Sequence, residues 1–455
     1  MQRPAPISRT DPVVRLLSDR AGGPAGRRMG PRREGFWTLP RVLLALTAVG
    51  VLLSALSMQH CRANGWGGVE VYHYGCYSDV AALWSGRDFA ESPWAPFLED
   101  LSTFEYPVLT MLLASLAASV THGLDGLTDG YWEHRTGLLF WDVTFLTAAL
   151  CWFALVLVTM RAARHRPWDA AIVALSPAII FGIGINWDIY PALALAGAIL
   201  LAQRQRWAWA GLLIGVGASF KLYPLFMLGA LFTLAVRRQL RKDDAAAAHP
   251  EDAPDLASLV RFTAAGAAAW AVLNVPAMLI SWESWVRFYE FSSERGAGYS
   301  SIWHVWQTLA EQGPDADTVS TLSFLLFLAC CAAVFVLGMT APVPPRMVQL
   351  LFLIVAAFCI ANKVYSPQFM LWLAPLIVLA APRMRDVIIW HAVQLLHFWA
   401  IWMHLANIIG DAEPQHSFDE SLYVIAAAAH MLSTLYICAQ VIWDMHRPSR
   451  DIVRV

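Results

Sequence analysis

Hydrophobic residues in this chain gather into long runs separated by short polar turns. Twelve such stretches fall at roughly residues 38–58, 137–160, 168–185, 188–203, 207–220, 223–236, 259–280, 318–340, 347–361, 367–381, 386–408 and 420–443. A membrane-crossing helix needs about 20 apolar residues, and several of these stretches are shorter, at about 14–16. Short or interrupted spans are tolerated where the irregular backbone lines a cavity inside the protein. The pattern predicts an all-α fold: a polytopic transmembrane bundle of about 12 spans with juxtamembrane helices.

A further apolar run, 106–121 (YPVLTMLLASLAASVT), is harder to assign. If it crossed the membrane, the arginine cluster at 161–166 would change sides, so it reads as a juxtamembrane or re-entrant helix on the outer side. The arginine-bearing connections are the N-terminal region, 161–166, 204–206, 237–242, Arg346, 383–385 and 447–454. With all of these on the cytoplasmic side, and Arg261 counted with them, 25 of the 32 cationic residues lie inside. The inner side then carries a charge near +13 and the outer side near −14, with Asp142, inside a span, supplying the last −1 of the net −2. Positive charge marks the cytoplasmic loops, so both termini are expected inside and the large loops 59–136 and 281–317 outside. Residues 1–37, rich in Arg, Pro and Gly, read as a disordered cytoplasmic tail rather than a signal peptide. The membrane domain is expected over 38–443, interrupted by a flexible cytoplasmic linker at 237–258 and followed by a short cytoplasmic tail at 444–455. A plasma-membrane protein with its chemistry on the outer face is the resulting expectation.

Composition supports the membrane assignment: 58% of the 455 residues are hydrophobic and only 15% charged. Soluble proteins lie nearer 45–50% and about 25%, which excludes a soluble enzyme, a disordered chain and a disulfide-stapled secreted domain. The seven cysteines show no metal-ligand spacing. Cys61 and Cys76 share one loop and could pair if it faces an oxidising space, but free or packed thiols are the favoured reading.

Several polar residues interrupt the outer ends of the apolar runs. Asp79, in HYGCYSDVAALW, follows the first span among Tyr72, Tyr74, Tyr77 and Trp84. It reads either as part of a helix N-cap with Ser78 or as a general base in a partly desolvated cleft. Glu105 is a second acid at a helix start, where complementing the helix dipole is an equal alternative. Asp188, in FGIGINWDIYP, caps the next helix, pairs with a cation or binds a sugar hydroxyl.

Lysine is scarce here: of the cations, 29 are arginine and three lysine. Two of the three, Lys221 and Lys363, occupy matching outer turns, KLYP and NKVYSPQ. An ammonium at the end of an apolar span is costly without a partner or a water-filled cavity. As a compact point charge it suits phosphate, with Tyr223, Tyr365, Ser366 and Gln368 as neighbours. Snorkelling to the interface is the plainer alternative. Arg295, in the Gly-rich stretch SSERGAGYSS, is a candidate phosphate clamp, whereas Trp303 and Trp306 read as an interfacial belt. His391, His397 and His404 share a helix face but lie too far apart for one metal site. No HExxH, P-loop, GxSxG or dinucleotide motif occurs.

These motifs stand in a recognisable order: Tyr77-Ser78-Asp79, Tyr106-Pro107, Leu175-Ser176-Pro177 with Asn186-Trp187-Asp188, Lys221-Leu222-Tyr223-Pro224, then Lys363-Val364-Tyr365-Ser366-Pro367-Gln368. Over residues 38–443 the chain resembles glycosyltransferase family 87. These are polytopic GT-C enzymes of actinobacteria that include polyprenyl-phosphate-mannose-dependent mannosyltransferases. The resemblance implies that Asp79 is the catalytic base of an inverting displacement and that no metal or other cofactor is needed. It implies as partners a polyprenyl-phosphate sugar donor, a glycolipid or polysaccharide acceptor and membrane lipids, and no nucleic acid. One departure is Tyr106-Pro107-Val108, where the family more usually has Tyr-Pro-Pro. An arabinofuranosyl donor would use the same phosphate site. A lipid-linked-sugar transporter would instead call for inverted repeats and charges near the midplane, and neither stands out.

Overall fold

The computed structural model describes residues 11–13, 36–98, 104–132, 135–241, 253–310, 312–409 and 418–454. The expected tail at 1–37, except 11–13, 36 and 37, lies outside the described residues, as does 242–252 of the expected linker.

All twelve apolar stretches are helical, helices make up 77% of the structure, and no strand occurs among the described residues. The chain opens with α1 (Leu39–Ser57), the short α2 (Gln59–Asn64) and α3 (Glu70–His73), and α4 (Asp79–Gly86). Then come α5 (Val108–Leu127), α6 (Thr136–Ala162), α7 (Ala170–Ala174) and α8 (Pro177–Gly182). The middle of the chain forms α9 (Ile189–Ala202), α10 (Trp207–Phe220), α11 (Met227–Leu240) and α12 (Leu256–Ile280). Helices α13 (Trp282–Glu294), α14 (Ile302–Ala310) and α15 (Ala316–Thr340) follow. The last are α16 (Met347–Ala361), α17 (Met370–Ala380), α18 (Met384–Ile409) and α19 (Glu420–His446).

Seven of them, α1, α5, α6, α12, α15, α18 and α19, are long and apolar enough to cross a membrane. The 106–121 segment thus belongs to a continuous helix of 20 residues, α5. The shorter apolar helices form the interior. Every residue of α17 is buried, as expected of a helix that is apolar on all faces. Helices α12 and α15 instead leave large apolar side chains exposed, Leu279, Ile280, Phe324 and Leu328 among them, as lipid-facing helices do.

Breaks in the helices have local causes. Pro177 cannot donate to the preceding turn, so the 168–185 stretch splits into α7 and α8, and the Ser176 hydroxyl instead meets His391 Nε2 at 2.9 Å. Several long helices start on a side-chain cap: Asp255, Asp315 and Asp419 each accept a first-turn N–H, at 2.8–3.1 Å.

Small residues set the closest approach. Helices α10 and α12 are the most extensively packed pair, and a Cβ at Gly211 would fall 2.0 Å from the carbonyl oxygen of Phe262. One at Gly215 would fall 2.3 Å from the Gly266 oxygen. Backbone thus meets backbone, the packing that small residues permit between membrane helices.

The two ends of the bundle differ in chemistry. One gathers the starts of α4, α5 and α9 and the end of α10. The other, about 20 Å away along the 14 residues of α9, holds the arginine-bearing turns. There Arg346 donates to Asp451 at 2.8 and 3.1 Å and to the carbonyls of Leu379 and Ala380 at 2.7 and 2.6 Å. Arg383 pairs with Asp444 at 2.6 Å. Beside them lies a cavity of about 80 Å³ lined by Arg164, His165, Arg166, Asp169 and Arg346, among others.

The first loop is tied down twice. Cys61 and Cys76 form a disulfide, correcting the expectation of free thiols: the turn after α3 carries Cys76 back to α2, and their Cα atoms stand 5.9 Å apart. Closing a loop of 15 residues stabilises by about 3 kcal/mol in the chain-entropy account. The next residue, Arg62, makes a two-pronged ion pair with Asp142 on α6 at 2.8 and 2.6 Å. This neutralises the acid that sequence places inside a span.

Two outcomes follow from this packing. Gly211→Val separates α10 from α12 and lowers stability by about 1–3 kcal/mol, read as a fall in melting temperature in detergent. Gly123→Ala, where a Cβ meets open space, leaves it unchanged or slightly raised. In alkylation mass spectrometry the native protein labels at no more than its five free cysteines, and after reduction at seven.

Candidate active site

Asp79 is placed by backbone that is not helical. The segment 183–188 between α8 and α9 turns with its carbonyls facing sideways. Ser78 Oγ donates to Gly184 O at 2.7 Å, Trp141 Nε1 donates to the same oxygen at 3.1 Å, and Val80 N reaches Ile185 O at 3.3 Å. Irregular backbone inside a membrane bundle persists only when its polar groups are met in this way. Ser78 occupies the N-cap position of α4, but its hydroxyl does not cap the helix.

The Asp79 carboxylate is half-buried. Its Oδ2 accepts from Tyr106 Oη and from Asn186 Nδ2, both at 3.3 Å, and Tyr77 also hydrogen-bonds the side chain. Burial raises its pKa above the ordinary carboxylate value. The Tyr77 hydrogen bond, the charge of Lys221 and the Asn186 hydrogen bond oppose that rise, while the charge of Asp188 adds to it. A desolvated carboxylate, still hydrogen-bonded in its charged form, has the physical properties of a general base.

Asp188 stands at the start of α9 without capping it. Its side chain is fully buried and accepts from Trp372 Nε1 at 2.7 Å, while Lys221 Nζ lies 2.9 Å from the same Oδ1. Lys221 follows α10 in extended backbone, and its ammonium sits 5.5–6.0 Å from the ring centres of Trp372, Phe369 and Tyr106. Of the alternatives for Asp188, pairing with a cation is what the geometry contains. Tyr223 stacks on Trp372, ring centres 4.3 Å apart, and Phe369, next to the buried Gln368, stacks on the same indole at 3.7 Å.

Lys363 belongs to a different group. Its Nζ donates to Ser293 O at 2.9 Å and Ser320 Oγ at 2.7 Å. Burial and the neighbouring Arg295 hold its pKa below the usual lysine value. Arg295 ends α13, and neither it nor Lys363 forms an ion pair with a carboxylate among the described residues. Its positive charge also acts on Tyr77, the residue beside Asp79. Lys221 and Lys363 therefore share no partner, and Arg295 is the group whose field links Lys363 to the Asp79 side.

The remaining candidates are spread around these two groups. Glu105 is engaged by Arg87, through Nε to Oε2 at 2.9 Å and a second, shorter contact, next to Tyr106. Ser366 opens the 3₁₀ turn Pro367–Phe369. The Tyr365 hydroxyl turns toward Thr434, 3.1 Å away. The structure thus brings Asp79, Asp188 and Lys221 together, with Tyr223 joined through Trp372.

Sequence reasoning passed over Tyr106 and Asn186, although both stood inside motifs it quoted. It had no signal for Trp372 or Arg87, which meet their partners only in the fold. His391, His397, His404 and His430 are buried: His397 and His430 stack at 3.8 Å, and Ser300 Oγ sits between His397 Nε2 at 3.0 Å and the Tyr423 hydroxyl at 2.8 Å. This hub holds the loop that follows Arg295.

No curated protein matches the chain. The profile of glycosyltransferase family 87 matches residues 104–361. That span carries Glu105, Tyr106, Asp188, Lys221, Tyr223 and Arg295, while Asp79 and Lys363 flank it. The match covers more than half of a helical, membrane-type bundle whose polar residues converge at one end, and the chain belongs to glycosyltransferase family 87, one of the GT-C type membrane glycosyltransferases.

Proposed function

We propose that this glycosyltransferase transfers a hexose, mannose in the reading preferred here, from a polyprenyl phosphate to an envelope glycolipid or polysaccharide. Asp79 takes the proton from an acceptor hydroxyl as the new bond to the anomeric carbon forms. The bond from that carbon to the phosphate oxygen breaks on the opposite face, so the configuration inverts and the lipid phosphate leaves with the electron pair. Arg295 and Lys363 meet the phosphate charge directly, while Lys221, paired with Asp188, adds to it only through its field, and such electrostatic help is often the largest catalytic contribution. Glu105, Asp188, Tyr223, Tyr365, Ser366 and Gln368 shape the pocket.

The observation that carries this reading is the Asp79 carboxylate itself, half-buried, hydrogen-bonded from three side chains and lacking a direct ion-pair partner among the described residues. The proposed domain, 38–443 flanked by cytoplasmic tails, works at the outer face. Both the charge asymmetry of the turns and a disulfide in the loop that leads to Asp79 support that side.

Purified protein given radiolabelled polyprenyl-phosphate mannose and an envelope glycolipid fraction transfers label to the glycolipid. Asp79→Asn lowers that transfer by about 10²–10⁴-fold, and undiminished transfer would remove Asp79 from the base role. A polyprenyl-phosphate arabinofuranose donor run in parallel decides between the two sugars.

The pH profile has a defined sign. A base works deprotonated, so transfer falls as pH drops through the Asp79 pKa, which lies above the ordinary carboxylate value. The Tyr77 hydrogen bond holds that pKa down. In Tyr77→Phe the acid limb of the rate profile therefore moves to higher pH while the plateau above it persists. A limb that stays in place or moves to lower pH contradicts this assignment.

A further inference from the structure

Buried side-chain atoms without a hydrogen bond in the protein are scattered through the bundle, and four of them belong to residues around Asp79. Three consecutive residues each leave one: Asn186 Oδ1, Trp187 Nε1 and Asp188 Oδ2. The Tyr223 hydroxyl is a fourth, on a ring that stacks against the indole bound to Asp188. These residues are 3%, 1%, 0% and 1% exposed. Roughly nine in ten buried polar groups are satisfied, so three unpaired atoms in one tripeptide call for a cause.

Their chemistry is mixed: two acceptors, one donor and one hydroxyl that does either. A phosphate, which offers acceptors, is repelled by the amide and carboxylate oxygens. The ammonium nearest them, Lys221, is already paired with Asp188. A ring bearing several hydroxyls satisfies all four, because each hydroxyl both donates and accepts. The half-buried Tyr106 covers this wall, its ring 5.3 Å from that of Trp187 and its hydroxyl on Asp79.

We propose that Asn186, Trp187, Asp188 and Tyr223 form the subsite that reads the hydroxyls of the transferred sugar, with Lys221 as the residue that positions Asp188. Asn186 Oδ1 and Asp188 Oδ2 accept from sugar hydroxyls, while Trp187 Nε1 and the Tyr223 hydroxyl donate to sugar oxygens. The donor then lies with its sugar along 186–188 and its phosphate toward Arg295 and Lys363. This subsite rests on the transferase reading above and adds to it the residues that select the sugar.

The test pairs deletions in the sugar with deletions in the protein. Synthetic polyprenyl-phosphate mannose donors lacking the 2-, 3-, 4- or 6-hydroxyl are compared by kcat/KM on wild type, Trp187→Phe and Tyr223→Phe. Wild type loses about 10-fold or more on at least one deoxy donor, since a buried polar group is then left unpaired. A variant lacking the matching protein group loses a similar factor on the full donor and little more on that deoxy donor. Independent, additive losses for every pair overturn the subsite.

A second arm needs no turnover. Tyr223→Phe removes only an oxygen whose burial is uncompensated in the ligand-free protein, so its melting temperature without donor equals or exceeds that of wild type. A lower melting temperature shows that the hydroxyl serves the fold through bridging water, and overturns its assignment to the sugar. If wild type transfers no mannose, the transferase reading fails for that donor, and the melting comparison still judges the Tyr223 hydroxyl.

Discussion

The interaction on which the rest of this end of the bundle depends is the ion pair between Lys221 and Asp188. A fully buried carboxylate is unaffordable alone, and here it is met by one ammonium at 2.9 Å and one indole N–H at 2.7 Å. The pair joins the turn before α9, the turn after α10 and the first residues of α17, three interior helices. Breaking a buried pair by removing one partner typically costs about 3–5 kcal/mol, because the other charge stays behind. The same pair also governs Asp79, since the charges of Lys221 and Asp188 act on its carboxylate in opposite directions. The lysine is thus paired with one acid, Asp188, and acts on the other, Asp79, only through its field.

Two layers of constraint hold that pair in register. Behind it, α10 and α12 meet through bare backbone at Gly211 and Gly215, a contact that cannot slide without collision. To one side, the Ser300 hub joins the loop after Arg295 to α18 and α19 through His397, Tyr423 and His430. The cations are thus mounted on separate elements, Lys221 within the interior and Arg295 with Lys363 on the α13–α16 side. Among the described residues Arg295 and Lys363 have no carboxylate ion-pair partner, whereas Lys221 is committed to Asp188.

What was legible in the sequence follows from the range of each interaction. Every apolar stretch became a helix, because length and hydrophobicity act locally, and the break at Pro177 is likewise a property of its own ring. The polar turns stood out as candidate sites because acids and lysines are costly at span ends. Which polar group meets which was not legible. Trp372 reaches Asp188 across 184 positions, and Arg62 reaches Asp142 across 80, distances over which no periodicity speaks. The likeness of the two lysine turns does not extend to their partners, for the same reason. Matching local sequences put Lys221 and Lys363 in equivalent turns, but their neighbours come from different helices.

The double tether on α2 bears on how the protein comes to maturity. Arg62 can find Asp142 as soon as α6 has been inserted, since an ion pair needs nothing but proximity. The adjacent Cys61 must wait for an oxidant before it can close on Cys76, three residues ahead of Asp79. With those thiols reduced, the Arg62–Asp142 pair is the one of the two tethers that remains. With the disulfide closed, the segment entering Asp79 is anchored at two adjacent residues, once by charge and once by a covalent bond.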